Sequence, residues 1–125
     1  MIKVKNEIFN DSDFYEAIRK INAYDGFSMK DAYQMNVLTK ELISKATDFE
    51  QMRVKLLDKY GTKDEKNNVY TFEKEGAEKF RENLKELLDI QIKLNVNKIK
   101  IPMDLKLSPS QLRSIESLFD FSDIL

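Results

Sequence analysis

From Met29 to Tyr60 the chain contains neither glycine nor proline. Across this stretch Ala32, Met35, Leu38, Leu42, Ala46, Phe49, Met52 and Leu56 recur every three or four residues. That spacing is the period of a helix with one buried stripe. Ser28 supplies an N-cap hydroxyl ahead of it, and Gly61 suits the position after its C-terminus. At 1.5 Å per residue the helix is roughly 45 Å long. For a chain of 125 residues this is the dominating constraint. The expectation is a bend, or a projecting end that meets a partner.

The flanking segments read as shorter elements. Ile2, Val4 and Ile8 alternate with Lys3, Lys5 and Glu7, the period of a half-buried strand. Asn10-Asp11-Ser12-Asp13 offers N-caps for a helix over about 12 to 23, with Phe14, Ala17, Ile18 and Ile21 on its inner face. Asp25-Gly26 marks a turn. The polar run 61–68 reads as an exposed loop, and Val69-Tyr70-Thr71-Phe72 as a strand. Glu73, Glu75 and Glu78 open a third helix over about 74 to 91, which buries Ala77, Phe80, Leu84, Leu87 and Leu88. Two alternating series follow, Ile92 to Val96 and Ile99 to Leu107, out of phase across Asn97-Lys98, where a turn or bulge belongs. Ser108-Pro109-Ser110-Gln111 carries a capping box with proline at the first helical position. Leu112, Ile115 and Phe119 then form the last helix's buried face. The sum is a single α+β domain over 1–125: four helices, one of them long, on a small, mostly antiparallel sheet of three or four short strands. The first strand is expected to pair with the 69–72 and 98–102 segments.

Composition narrows the chemistry. There is no Cys and no His. Disulfides, thiolate nucleophiles, Cys-based zinc sites and Ser–His or Cys–His catalysis are therefore excluded. Three scattered glycines form no phosphate cradle. The carboxylates Asp11, Asp13 and Glu16, and Asp64 with Glu65, follow no calcium-loop pattern and read as caps and solvated groups. Asp64-Glu65-Lys66 and Asp104-Leu105-Lys106 each match an acid-x-Lys fragment of metal-dependent nucleases, a match that arises by chance in a lysine-rich chain. No catalytic, metal or cofactor residue is assigned, and no cofactor is expected. No apolar run approaches the roughly 20 residues of a membrane span, and the start lacks a signal-peptide core. The expected location is a bacterial host cytoplasm, with the virion as the alternative.

Two constellations point to partners. Tyr24, Phe27 and Tyr33 gather around the turn between the first two helices, and Phe119 and Phe121 lie near the apolar C-terminus. Aromatic clusters of this kind are enriched at protein–protein interfaces; the competing reading is core packing. The net charge of −1 conceals a basic stretch over 92–107. Lys98 and Lys100, placed beside Lys3 and Lys5, would form a lysine stripe for phosphate contact. Edge protection against sheet aggregation is the competing use of such lysines.

The order Leu56-Leu57-Asp58-Lys59-Tyr60-Gly61, the Lys63-Asp64-Glu65 loop, and Val69-Tyr70-Thr71-Phe72 resembles a pattern in small proteins of tailed phages and prophages. Phe80…Leu84…Leu87-Leu88, Ile99-Lys100-Ile101 and Leu107-Ser108…Leu112…Leu118 continue the likeness, which covers about residues 30 to 121. The resemblance implies an accessory protein and carries over no functional residue. The leading expectation is a non-catalytic phage or prophage accessory protein that binds another protein, either as a host-directed inhibitor or as a virion or assembly component, with a homo-oligomer among its partners. The alternative is a small nucleic-acid-binding protein that uses the lysine stripe.

Overall fold

A computed structural model describes residues 1–122. The apolar end at Ile124 and Leu125 lies outside the described residues. Strand β1 (Ile2–Lys5) runs into a 3₁₀ turn (Asn6–Asn10), followed by α1 (Ser12–Ala23) and α2 (Met29–Tyr60). A hairpin of β2 (Thr62–Asp64) and β3 (Val69–Thr71) leads to α3 (Lys74–Asp89) and β4 (Gln91–Leu94). Strand β5 (Ile99–Lys100), α4 (Pro109–Ile115) and β6 (Phe119–Asp120) complete the described chain. The fold is α+β, with one long helix.

Local signals place the helix starts. The Asp11 carboxylate accepts from the Asp13 N–H at 3.0 Å and caps α1. The Ser28 hydroxyl accepts from Asp31 N–H and caps α2. At α4 the full capping box forms: Ser108 Oγ accepts from Gln111 N–H, and Gln111 Oε1 accepts from Ser108 N–H. Each satisfies main-chain donors that a helix N-terminus leaves without partners.

Helix α2 is the spine. It buries Met35, Leu38, Leu42 and Phe49 and packs along α3, while α1 packs on α4. These side chains join Ile2, Val4, Phe14, Ile21, Leu94, Ile99, Ile115 and Phe119, among others, in one hydrophobic cluster. The far end of α2 is occupied within the chain itself. The Tyr70 hydroxyl on β3 bonds Asp58, and Asn83 on α3 reaches the Tyr60 hydroxyl. Gly61 follows the helix as expected, but its φ of −115° is not left-handed. A Cβ there would stand 2.8 Å from the Phe72 ring, so close packing demands the glycine.

The strands differ most from expectation. Among the described residues they form three separate two-stranded pairs. Strand β1 pairs antiparallel with β4, and not with the 69–72 or 98–102 segments; Ile2 faces Leu94 and Val4 faces Ile92. The buried Asn6 decides this choice. Its N–H donates to the Ile90 carbonyl at 2.9 Å, and its side-chain amide donates to the Leu87 carbonyl at 3.1 Å. Ile8 belongs to the 3₁₀ turn, where it is still buried. The 61–68 run contains β2, which pairs with β3 around a turn that ends at Asn68, whose φ is +53°. Asparagine is one of the few residues that adopts this conformation readily. Strand β5 pairs in parallel with β6, so Phe119 lies beyond the end of α4 and not on its helical face.

Two expectations test this architecture. Leu38 on α2 is fully buried, so Leu38→Ala should lower unfolding free energy by about 2–5 kcal/mol, read from urea denaturation midpoints. Ser108→Ala should cost about 1 kcal/mol in the same assay, because it removes one half of the capping box.

Candidate interaction surfaces

The turn between α1 and α2 brings together two of the aromatic residues singled out above. Tyr24 caps the end of α1, and its ring meets Phe27 edge-on with centroids 4.9 Å apart. The Tyr24 hydroxyl donates to Asp104 Oδ1 at 2.9 Å, which ties this turn to the segment after β5. Gly26 makes the arrangement sterically feasible: a Cβ would lie against the Tyr24 hydroxyl and 2.6 Å from the adjoining ring carbon. Both rings are half-buried, and Phe27 packs on the core. They line a groove of about 230 Å³ with Lys100, Ile101, Pro102 and Met103.

Tyr33 does not belong to that cluster. It lies one turn beyond Met29 on α2, on the side facing away from Met35, Leu38 and Leu42, and is 69% exposed. Met29 is 84% exposed and Met1 70%. Tyr33, Val37, Met1 and Val96 line a groove of about 390 Å³, with Gln34, Asn95 and Asn97 as its polar members. One turn further along α2, Glu41 Oε1 accepts from the Asn95 N–H at 3.1 Å and holds the β4–β5 connection against the helix. Scattered single apolar residues on a surface are ordinary; here exposed Met1 and Tyr33 flank one depression with half-buried Val37 and Val96.

The C-terminal aromatics are placed differently. Phe119 is 2% exposed and sits in the core opposite Ile99. As an interface residue it is therefore corrected, since its ring is already surrounded. Phe121 is half-buried against the same cluster.

The four lysines of the expected stripe divide. Lys3 and Lys5 lie on β1, where Lys3 stands opposite Lys93 and Lys5 opposite Gln91. Lys5 also approaches Asp89 at 3.9 Å. Lys98 and Lys100 lie before and within β5, in a different sheet. Both act on Asp120, whose carboxyl is held below the usual range by hydrogen bonds from Ser122 first and by these two cations after that. The topology therefore does not make one stripe of the four. The missing premise is the pairing of β1 with the 98–102 segment.

The acidic groups weighed as metal ligands have other tasks. Asp11 caps α1, Glu16 pairs with Arg19, and Asp64 accepts from Lys66 N–H and the Asn67 amide in the hairpin turn. Among the described residues no three acidic side chains converge on one point. No helix of the described residues is long and apolar enough to cross a membrane.

Residue reading missed Met1, Met29, Val37 and Val96. A signal existed for the helical ones: Met29, Tyr33 and Val37 follow a four-residue step out of phase with the buried stripe. Nothing in the sequence brings Met1 and Val96 to them. Comparison with protein-family models, curated proteins and solved structures finds no match for the chain.

The Tyr24 hydroxyl ionises above its ordinary value of 10.0, chiefly because it donates to Asp104 and secondarily through burial. A raised value in the folded chain means that the bond's contribution to stability is present below pH 10.0 and is lost as pH rises through the higher value. Asp104→Asn should move the Tyr24 titration back toward the ordinary value, followed by NMR of isotope-labelled tyrosine.

Proposed function

We propose that this chain is a non-catalytic protein-binding domain that works as an accessory protein of a tailed phage or prophage. The observation that carries this reading is the apolar patch around Tyr33. Met29 and Tyr33, 84% and 69% exposed, are the two most exposed of the large apolar residues that α2 leaves in solvent. A flat aromatic ring and a flexible methionine are the residue types that anchor protein interfaces. The three polar residues at the groove supply rim hydrogen bonds without a strong charge of either sign. The likeness to small phage proteins supplies the biological setting.

Within that reading the chain acts either on a host enzyme or within a virion assembly. An assembly component is normally symmetric and present in several copies. Size-exclusion chromatography with light scattering separates the two: a monomer at high concentration counts against assembly.

The decisive experiment is affinity capture from host lysate, with and without phage infection, using the wild-type chain and Tyr33→Asp in parallel. The expected result is one partner held by the wild type and lost by Tyr33→Asp. The substitution is at an exposed site, so unfolding free energy should change by less than about 0.5 kcal/mol. Equal capture by both forms removes this surface from the reading.

A further inference from the structure

Asn6 is 6% exposed, yet one half of its side-chain amide has no partner in the fold. Nδ2 donates to the Leu87 carbonyl at 3.1 Å, which fixes the orientation of the group. Oδ1, on the other branch, accepts no hydrogen bond among the described residues. Nor is it sealed. The one fully enclosed side-chain nitrogen or oxygen without a partner among the described residues is Glu41 Oε2, so Asn6 Oδ1 is reached from outside.

The opening is a groove of about 180 Å³ that Asn6 lines, set between α2 and the junction of α3 with β4. Its walls are Phe49, Met52, Leu87, Ile90 and Ile92. Phe49 and Leu87 belong to the core, whereas Met52 is 46% and Ile90 51% exposed. The two charged residues of the groove, Lys45 and Asp48, are of opposite sign. It shares no lining residue with the groove beside Tyr33. An apolar cavity of about 150 Å³ takes a benzene ring, and pockets for drug-sized ligands begin at roughly 300 Å³. One aromatic side chain is therefore the matching size.

We propose that this groove is a docking pocket for a tryptophan side chain of a protein partner, with the indole N–H donating to Asn6 Oδ1. Three features select that occupant. The apolar walls favour a ring, and exposed Met52 and Ile90 gain burial when one is seated. The unpartnered oxygen selects for a donor. Solvent serves it in the free chain, and a leucine or phenylalanine would displace that solvent and leave a buried acceptor unmatched. The balanced charge selects for neutrality. A lysine would bring its ammonium to Oδ1, but a buried cation needs a carboxylate partner. The charge of the one carboxylate in the groove, Asp48, is already offset by Lys45. Among neutral rings, an indole N–H is a donor alone, whereas a phenol oxygen brings acceptor sites that need donors of their own. Tryptophan anchors seated in such pockets carry much of the energy of protein interfaces.

The chain contains no tryptophan, so a peptide with one tryptophan supplies all the indole emission of a mixture. A capped Gly/Ser peptide with a single central tryptophan is held at low concentration while the chain is titrated in to millimolar levels. The emission should shift to shorter wavelength and saturate. The same peptide with N1-methyltryptophan keeps the ring and loses the donor, and should bind about tenfold more weakly. Matched leucine and lysine peptides should compete at least about tenfold more weakly than the tryptophan peptide binds. Met52→Glu and Ile90→Ser, both at exposed wall positions, should each weaken the binding, and Tyr33→Asp should leave it unchanged. No shift at millimolar chain, equal binding of the methylated peptide, equal competition by leucine or lysine, a shift that survives both wall variants, or its loss in Tyr33→Asp would overturn the proposal.

Discussion

Asn6 ties the first strand to the junction of α3 and β4. Its main chain and side chain satisfy the Ile90 and Leu87 carbonyls, where α3 gives way to β4. The last carbonyls of a helix have no partner within it, and a buried carbonyl without one is costly. The Leu87 carbonyl also accepts from Ile90 N–H at 3.3 Å, so Asn6 gives it a second donor at the end of α3 while extending the register of β1. That register turns Ile2 and Val4 toward the core and Lys3 and Lys5 outward. A slip of one residue would reverse both faces. The outward placement of the β1 lysines is a consequence of this clamp.

Helix α2 serves two purposes through its opposite sides. One side carries Met35, Leu38, Leu42 and Phe49 into the cluster shared with most other elements. The other carries Met29, Tyr33 and Ile43 into solvent. Without tertiary packing, helices are only marginally stable in water, so the buried side maintains the helix and the exposed side is carried by it. Rigid presentation of this kind lowers the ordering entropy lost on association.

The helices were legible because each has a cap, a period and a stop. Residues 12–23 and 29–60 appear with the expected limits, and the capping box at Ser108 forms in full. The strands were legible as alternation but not as partners, since several short segments share one period and none names its neighbour. The polar strand β2 has no buried face, so no apolar pattern announces it. Phe119 stands four residues after Ile115, which suits a helix, yet both a helix and the observed β6 turn it inward. Periodicity therefore could not separate the two. The Tyr33 patch was half legible: the aromatic could be named, but its neighbours come from Met1 and Val96, which only the fold brings near.

The pairing of Ile2 with Leu94 also sets an order of events during synthesis. α2 is built from local contacts and can form as it emerges, whereas β1 must wait for β4. At about 5–20 residues per second, that interval is roughly 5 to 20 seconds. Through it the first strand has both edges open, at the stage when unpaired strands are most prone to join one another. Lys3 and Lys5 oppose that association from the moment they leave the ribosome, long before the fold gives them an outward face.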